Sequence, residues 1–190
     1  MFFNWLFSIY QYYMGKKFRS LGKHTILSRS LKIQGGTNIN LGDNTRIGKS
    51  CWLAAMPLTK SHTECRLTIG NGCQIGDFNH IFATGSIIIE DEVLTANGVY
   101  IADNQHEYSD VHASIIHQPI RQLRSVVIGR GCWIGEHVAI IGASVGKNSV
   151  IGANSVVTHD IPDYCVAVGA PARVIKRYNC VSCTWEKVSS

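Results

Sequence analysis

VVIGRGCWIGEHVAIIGASVGKNSVIGANSVV, residues 126–157, repeats an aliphatic residue followed by glycine at Ile128-Gly129, Ile134-Gly135, Val145-Gly146 and Ile151-Gly152. The spacing is close to six. That is neither the 3.6 of a helix nor the alternation of a lone strand, so it defines a repeat unit of its own. Working outward, the same aliphatic position returns in triplets: Leu41, Ile47 and Leu53; Ile69, Ile75 and Ile81; Ile89, Thr95 and Ile101; Ile128, Ile134 and Ile140; Val145, Ile151 and Val157. Three hexads close a triangular coil of about 18 residues, each hexad a short strand and a turn, with the aliphatic side chains stacked inward from coil to coil. The fold class predicted is all-β, a parallel β-helix of hexapeptide repeats beginning near Leu31. The step from Ile140 to Val145 is one residue short, which predicts a tight corner there.

The position four residues after each aliphatic one holds small residues, among them Thr45, Cys51, Cys73, Val93, Cys132, Ser149 and Ser155. Such residues suit a crowded interior beside a bend, and the cysteines read as core filler. Asn79 and Gln105 break this pattern. Local breaks in an otherwise consistent sequence are expected at functional sites.

At 190 residues the chain is long enough for one domain burying roughly 70% of its unfolded surface. The predicted organisation is an N-terminal aromatic and basic segment over residues 1–30, a β-helix over 31–177 and a tail over 178–190. Two stretches cannot continue the hexads, 54–66 and 107–125, and are expected to loop out, where function is often carried. Seven cysteines without the spacing of a disulfide scaffold, and no cleavable leader, predict a reduced, cytoplasmic chain.

The formal charge is +5, but the excess sits at one end. Residues 1–42 hold Lys16, Lys17, Arg19, Lys23, Arg29 and Lys32, and Asp43 is the first acid. The opening MFFNWLFSIYQYYM is rich in aromatics yet too short and polar to span a bilayer. It reads either as an amphipathic helix lying in a membrane interface or as a helix packed on the body or a neighbouring subunit. No nucleic-acid-binding motif accompanies its basic residues.

An ordered series of motifs resembles the left-handed β-helix hexapeptide-repeat acyltransferases, in particular the sugar and polysaccharide O-acetyltransferases such as those of galactosides, maltose, lipopolysaccharide and capsule. The series is Trp133-Ile134-Gly135, Val150-Ile151-Gly152-Ala153, Thr158-His159-Asp160-Ile161-Pro162 and Gly169-Ala170-Pro171-Ala172-Arg173-Val174-Ile175-Lys176. The resemblance implies left-handed coils, a homotrimer with active sites between subunits, acetyl-CoA as co-substrate and a carbohydrate acceptor. It also implies a catalytic histidine seventeen residues beyond the aliphatic residue opening the preceding coil, which from Ile89 lands on His106.

A sugar hydroxyl needs a base to attack a thioester, and imidazole suits that task. Asp103, with Glu107 as the alternative, is the candidate carboxylate for orienting His106; Asp103, like Asn104, is otherwise a turn residue. Asn79 is the candidate for holding the acceptor. For acetyl-CoA the resemblance implies Trp133 at the reactive end, Ala153 and Thr158 along the pantetheine arm, and Arg173 with Lys176 at the phosphates. Glu136 and His159 occupy cofactor-facing positions where the family often has a small polar residue and a lysine.

No metal site is expected. Cys180-Val-Ser-Cys183 is a single CxxC without a second pair, which reads as tail. Within the same chemistry the alternative acceptor is an antibiotic of the streptogramin or chloramphenicol type. A γ-class carbonic anhydrase-like zinc protein is a more distant alternative, suggested by the spacing of His112 and His117, and a non-catalytic scaffold is another.

Overall fold

The computed structural model describes residues 2–58 and 65–188, with side chains from Ser8 onward. Three sheets form the walls of a prism, and each successive coil adds a parallel strand to every wall. The first wall runs Ser20–Leu21, Ile39–Leu41, Arg66–Ile69, Ser86–Ile89, Val126–Ile128. The second runs Ile26–Leu27, Arg46–Ile47, Gln74–Ile75, Leu94–Thr95, Trp133–Ile134, Val150–Ile151, Cys165–Val168. The third runs Lys32–Gln34, Trp52–Ala55, His80–Ala83, Tyr100–Ala102, Ala139–Ile141, Val156–Val157.

The register puts the aliphatic positions of the repeat in columns. Leu53, Ile81, Ile101, Ile140 and Val157 pair in turn down the third wall, each 0% exposed. The short step after Ile140 takes the form expected: Gly142 adopts φ 58° and the first wall shrinks to single bridges from Ile128 to Val145 and from Val145 to Ile161.

The small residues at the corners do more than fill space. Thr45 Oγ1 donates to the Gly70 carbonyl at 2.7 Å, Cys51 Sγ to that of Gly76 at 3.1 Å, and Cys132 Sγ to that of Gly146 at 2.9 Å. Each thus satisfies a buried turn carbonyl of the next coil. Burial pushes the Cys51 and Cys132 thiols up to about 11, so they remain protonated donors.

Outside these corners, side chains of one coil cap backbone N–H groups of the coil before it. Asp43 Oδ1 accepts from Lys23 N at 2.7 Å, Asn71 Oδ1 from Asp43 N at 2.8 Å and Asp91 Oδ1 from Asn71 N at 2.8 Å. The facing glycines bring the turns close: a Cβ on Gly42 would stand 2.5 Å from the Gly70 carbonyl carbon, closer than atoms can approach.

Two boundaries differ from the sequence reading. The coils start at Ser20, about ten residues before Leu31, because Leu21, Leu27 and Ile33 already occupy inward positions beneath Leu41, Ile47 and Leu53. The tail is also not free chain: Arg173–Asn179 turns back antiparallel on Cys165–Val168, and Thr184–Lys187 pairs antiparallel with it in turn. The CxxC forms the tip of that hairpin, with Cys180 and Cys183 exposed. The excursion predicted at 54–66 leaves after Trp52–Ala55 and returns at Arg66–Ile69; residues 59–64 lie outside the described residues.

Phe2–Gly15 is an α-helix docked on the first coil. Gln11 acts there as a substitute strand: its Nε2 donates to the Leu27 carbonyl at 2.6 Å and its Oε1 accepts from Leu27 N at 2.9 Å. Tyr10 donates its hydroxyl to the Ser28 carbonyl at 2.7 Å. The helix therefore covers a strand edge that would otherwise be open to pairing with another chain. Gln11→Ala is expected to destabilise the fold by about 1–3 kcal/mol, since both backbone groups of Leu27 lose their partner; chemical denaturation of the variant checks this. Among the described residues no helix is long and apolar enough to cross a membrane.

Candidate active site

The second excursion is built as a hairpin. Asn104–His106 leaves the end of Tyr100–Ala102 and pairs antiparallel with Ile120–Gln122, so that His106 lies opposite Ile120. Its base is a buried polar knot. Asp103, 0% exposed, accepts from Thr84 N at 2.8 Å, Gly85 N at 2.8 Å and Asn104 Nδ2 at 3.1 Å, and lies 3.1 Å from Thr84 Oγ1, whose one proton goes to the nearer Gln122. Gln122 closes it from the returning strand, donating Nε2 to the Asp103 carbonyl at 2.8 Å and accepting from Thr84 Oγ1 at 2.7 Å. Both feet of the hairpin are thereby fixed to the rigid coil beneath.

His106 stands on this platform with its side chain exposed, and its ring makes no hydrogen bond to any described residue. Neither carboxylate expected to orient it does so within one chain. Asp103 spends its oxygens on the knot, because two backbone N–H groups of the buried turn at Thr84 have no other acceptor. Glu107 accepts from Tyr108 N at 2.9 Å and lies 3.8 Å from Arg121; the Tyr108 N–H, ahead of the Arg121 charge, holds its carboxyl below the usual range.

Two further predicted site residues have structural roles. Asn79 is 1% exposed and is saturated: it donates to Gly76 O, Thr95 Oγ1 and Ala96 O and accepts from Val99 N. It cannot reach an acceptor sugar. Its polar character is answered by Thr95, the one hydroxyl in an aliphatic column. Glu136 replaces the capping amide at its corner, its carboxylate accepting from Asn97 N at 3.3 Å and Asn97 Nδ2 at 3.0 Å, so it has a structural part of its own beside the cofactor role expected of it.

The remaining predicted cofactor residues are exposed and lie on two faces. On the outer surface of the second wall the register sets Trp133, Val150, Val166 and Lys176 in one row, with Arg173 on the same strand as Lys176. Trp133 and Lys176 are three strand spacings apart, roughly 14 Å at ~4.8 Å per spacing. Trp133 is 52% exposed, a large apolar surface with nothing on it. Thr158 and His159 follow the last strand of the third wall, with Thr158 Oγ1 3.1 Å from His159 Nδ1, and Ala153 is exposed at the preceding corner.

Thr158 also lines an open cavity of about 440 Å³ with Gln105, Gln122, Arg124 and Ile141. The hairpin that carries His106 is thus one wall of the cavity, and Gln105, which broke the corner pattern, belongs to it. Arg124 was not singled out in the sequence; it forms a two-pronged pair with Asp160 at 3.1 Å. No pattern of spacing marks Thr84, Gln122 or Arg124, since their partners lie 19 to 38 residues away in the chain, on other coils or across the excursion. His112 and His117 are exposed in the excursion, and among the described residues no group of three His, Cys, Asp or Glu could hold a metal ion.

Residues 125–159 match the family model described as the hexapeptide repeat of succinyl-transferase. The chain is 35% identical over 162 residues, 82% of its own length and 80% of the relative's, to an Escherichia coli protein described as the lipopolysaccharide biosynthesis O-acetyl transferase WbbJ. The chain belongs to the hexapeptide-repeat acyltransferases. As a member of this family it is an enzyme, and its prism is a left-handed β-helix. It is also 41% identical to the Escherichia coli galactoside O-acetyltransferase, over 50% of this chain and 45% of that one. Among solved structures it resembles a maltose O-acetyltransferase from Clostridium difficile, with TM-score 0.54 and 30% identity over 85% of this chain and 71% of that one. The fold of AntD, an N-acyltransferase from Bacillus cereus, matches with TM-score 0.73 at 23% identity, covering 88% of this chain and 87% of that one.

Proposed function

We propose that this acyltransferase moves the acetyl group of acetyl-CoA to a hydroxyl of a carbohydrate, a bacterial surface polysaccharide or its precursor. The observation that carries the reading is His106: a ring without an internal partner, raised on a braced hairpin, in a chain similar over most of its length to WbbJ. His106 takes the proton of the acceptor hydroxyl as its oxygen bonds to the acetyl carbon. The C–S bond then breaks, and the same imidazolium returns that proton to the departing sulfur, leaving an acetyl ester and free CoA. Backbone N–H groups of a neighbouring coil stabilise the negative charge that gathers on the carbonyl oxygen.

For acetyl-CoA the chain offers the exposed Trp133 at one end of a row and the cations Arg173 and Lys176 at the other, with Ala153, Thr158 and His159 at the adjoining corner. That row and the His106 hairpin belong to different walls of one prism. A homotrimer in which the hairpin of one subunit faces the row of the next brings them together. The setting we assign is the cytoplasm, where acetyl-CoA is available and where the seven unpaired cysteines would stay reduced.

Calorimetry tests the cofactor assignment. Arg173→Ala and Lys176→Ala are each expected to weaken acetyl-CoA binding about tenfold, the equivalent of ~1.4 kcal/mol and near the value of one hydrogen bond to a charged group. No binding by the unaltered protein would sink the proposal, and undiminished binding by both variants would move the phosphate end elsewhere.

A further inference from the structure

The basic end of the molecule holds none of the residues assigned above to acetyl transfer. Lys16, Lys17 and Arg19 follow the N-terminal helix directly, Lys23 and Arg29 stand at successive corners of the first coil and Lys32 opens its third strand; all six are exposed. Not one acidic residue occurs among residues 1–42. The ion pairs Lys49–Asp77, Arg121–Glu107, Arg124–Asp160, Arg130–Asp91 and Lys147–Asp163 all lie beyond that coil, and among the described residues none of the six cations has a carboxylate partner, although Lys32 Nζ rests 3.4 Å from the Trp52 ring centroid. The helix across the same end uses Tyr10, Gln11 and Met14 toward the body and leaves Tyr12 and Tyr13 exposed at 61% and 64%, with Lys16 Nζ 4.4 Å from the Tyr12 ring centroid.

Tyrosine rings with an apolar body and a polar tip, set among cations without carboxylate partners, match the headgroup layer of an anionic bilayer. We propose that this end of the β-helix docks on a membrane surface rich in anionic lipid, with the N-terminal helix lying in the interface and the cationic collar around it. A nucleic acid would meet the charge but would leave the aromatic helix without a role. Docked in this way the prism stands away from the bilayer. The coil that carries the His106 hairpin is three above the first, at roughly 4.8 Å per step about 14 Å further from the lipid.

The full chain is mixed with vesicles of phosphatidylcholine alone or with phosphatidylglycerol added, and the bound fraction is read by sedimentation. Binding to the anionic vesicles, lost as salt is raised, is expected. Lys16→Glu, Lys17→Glu and Arg19→Glu combined should lower the partition at least about 10²-fold, while Tyr12→Ser with Tyr13→Ser should lower it with less effect on salt dependence. Circular dichroism confirms that both variants fold, as substitutions at exposed positions should. Equal partition onto neutral and anionic vesicles, no binding to either, or a charge-reversed variant that binds as well as the original each overturns the proposal. So does binding to duplex DNA that exceeds binding to the vesicles. The readout is independent of catalysis, so it stands or falls apart from the acetyl-transfer reading.

Discussion

His106→Ala is expected to lower kcat/KM for acetyl transfer about 10²–10⁴-fold, the usual contribution of a positioned general base. Acetyl-CoA affinity should change little, because no cofactor contact is assigned to that ring. The split between a lost kcat and a retained binding heat is the informative part. A histidine that merely packed would show the opposite pattern, with altered stability and a modest kinetic change. The His106 ring is exposed and makes no hydrogen bond to a described residue, so its removal should leave the melting temperature unchanged.

The second large effect belongs to Asp103. Asp103→Ala leaves Thr84 N–H and Gly85 N–H buried without acceptors, at about 1–3 kcal/mol each, or roughly 2–6 kcal/mol together. At about 2–4 °C per kcal/mol for a chain of this size, thermal denaturation should show a drop of several degrees or more. Asp103→Asn keeps one acceptor oxygen and should recover part of the loss. Asp103 is thus a positioning residue: in the asparagine variant kcat should fall as the hairpin loosens, while acetyl-CoA still binds. Unchanged stability in the alanine variant would contradict the knot.

The coils could be read from the sequence wherever an aliphatic residue is followed by glycine, since the inward column and the close turn are separate demands that both leave a mark. Ile134-Gly135 and Ile151-Gly152 show both. The first coil carries the column at Leu21, Leu27 and Ile33 and one close turn at Leu21-Gly22, but a single such pair beside the aromatic and basic residues that surround it reads as part of the N-terminal segment. His106 was singled out through the resemblance, which implies a histidine seventeen residues beyond Ile89, and its role is the one proposed above. Asn79 and Glu136 were legible as unusual, and Asp103 as a carboxylate near His106, but none as structural, because what engages them lies on a neighbouring coil: Thr95, Asn97 and Thr84 approach only once the chain has wound round. A polar residue that breaks a pattern therefore marks either a site or a rung, and only the position of its partners separates the two.

Incubation of the purified chain with acetyl-labelled acetyl-CoA and a panel of sugars, nucleotide sugars, polysaccharide precursors and drugs tests the transfer itself. Label is expected in an alkali-labile ester on a carbohydrate, dependent on His106. Label carried only to a drug, or to no acceptor in the panel while the protein is folded and binds acetyl-CoA, would contradict the proposed function.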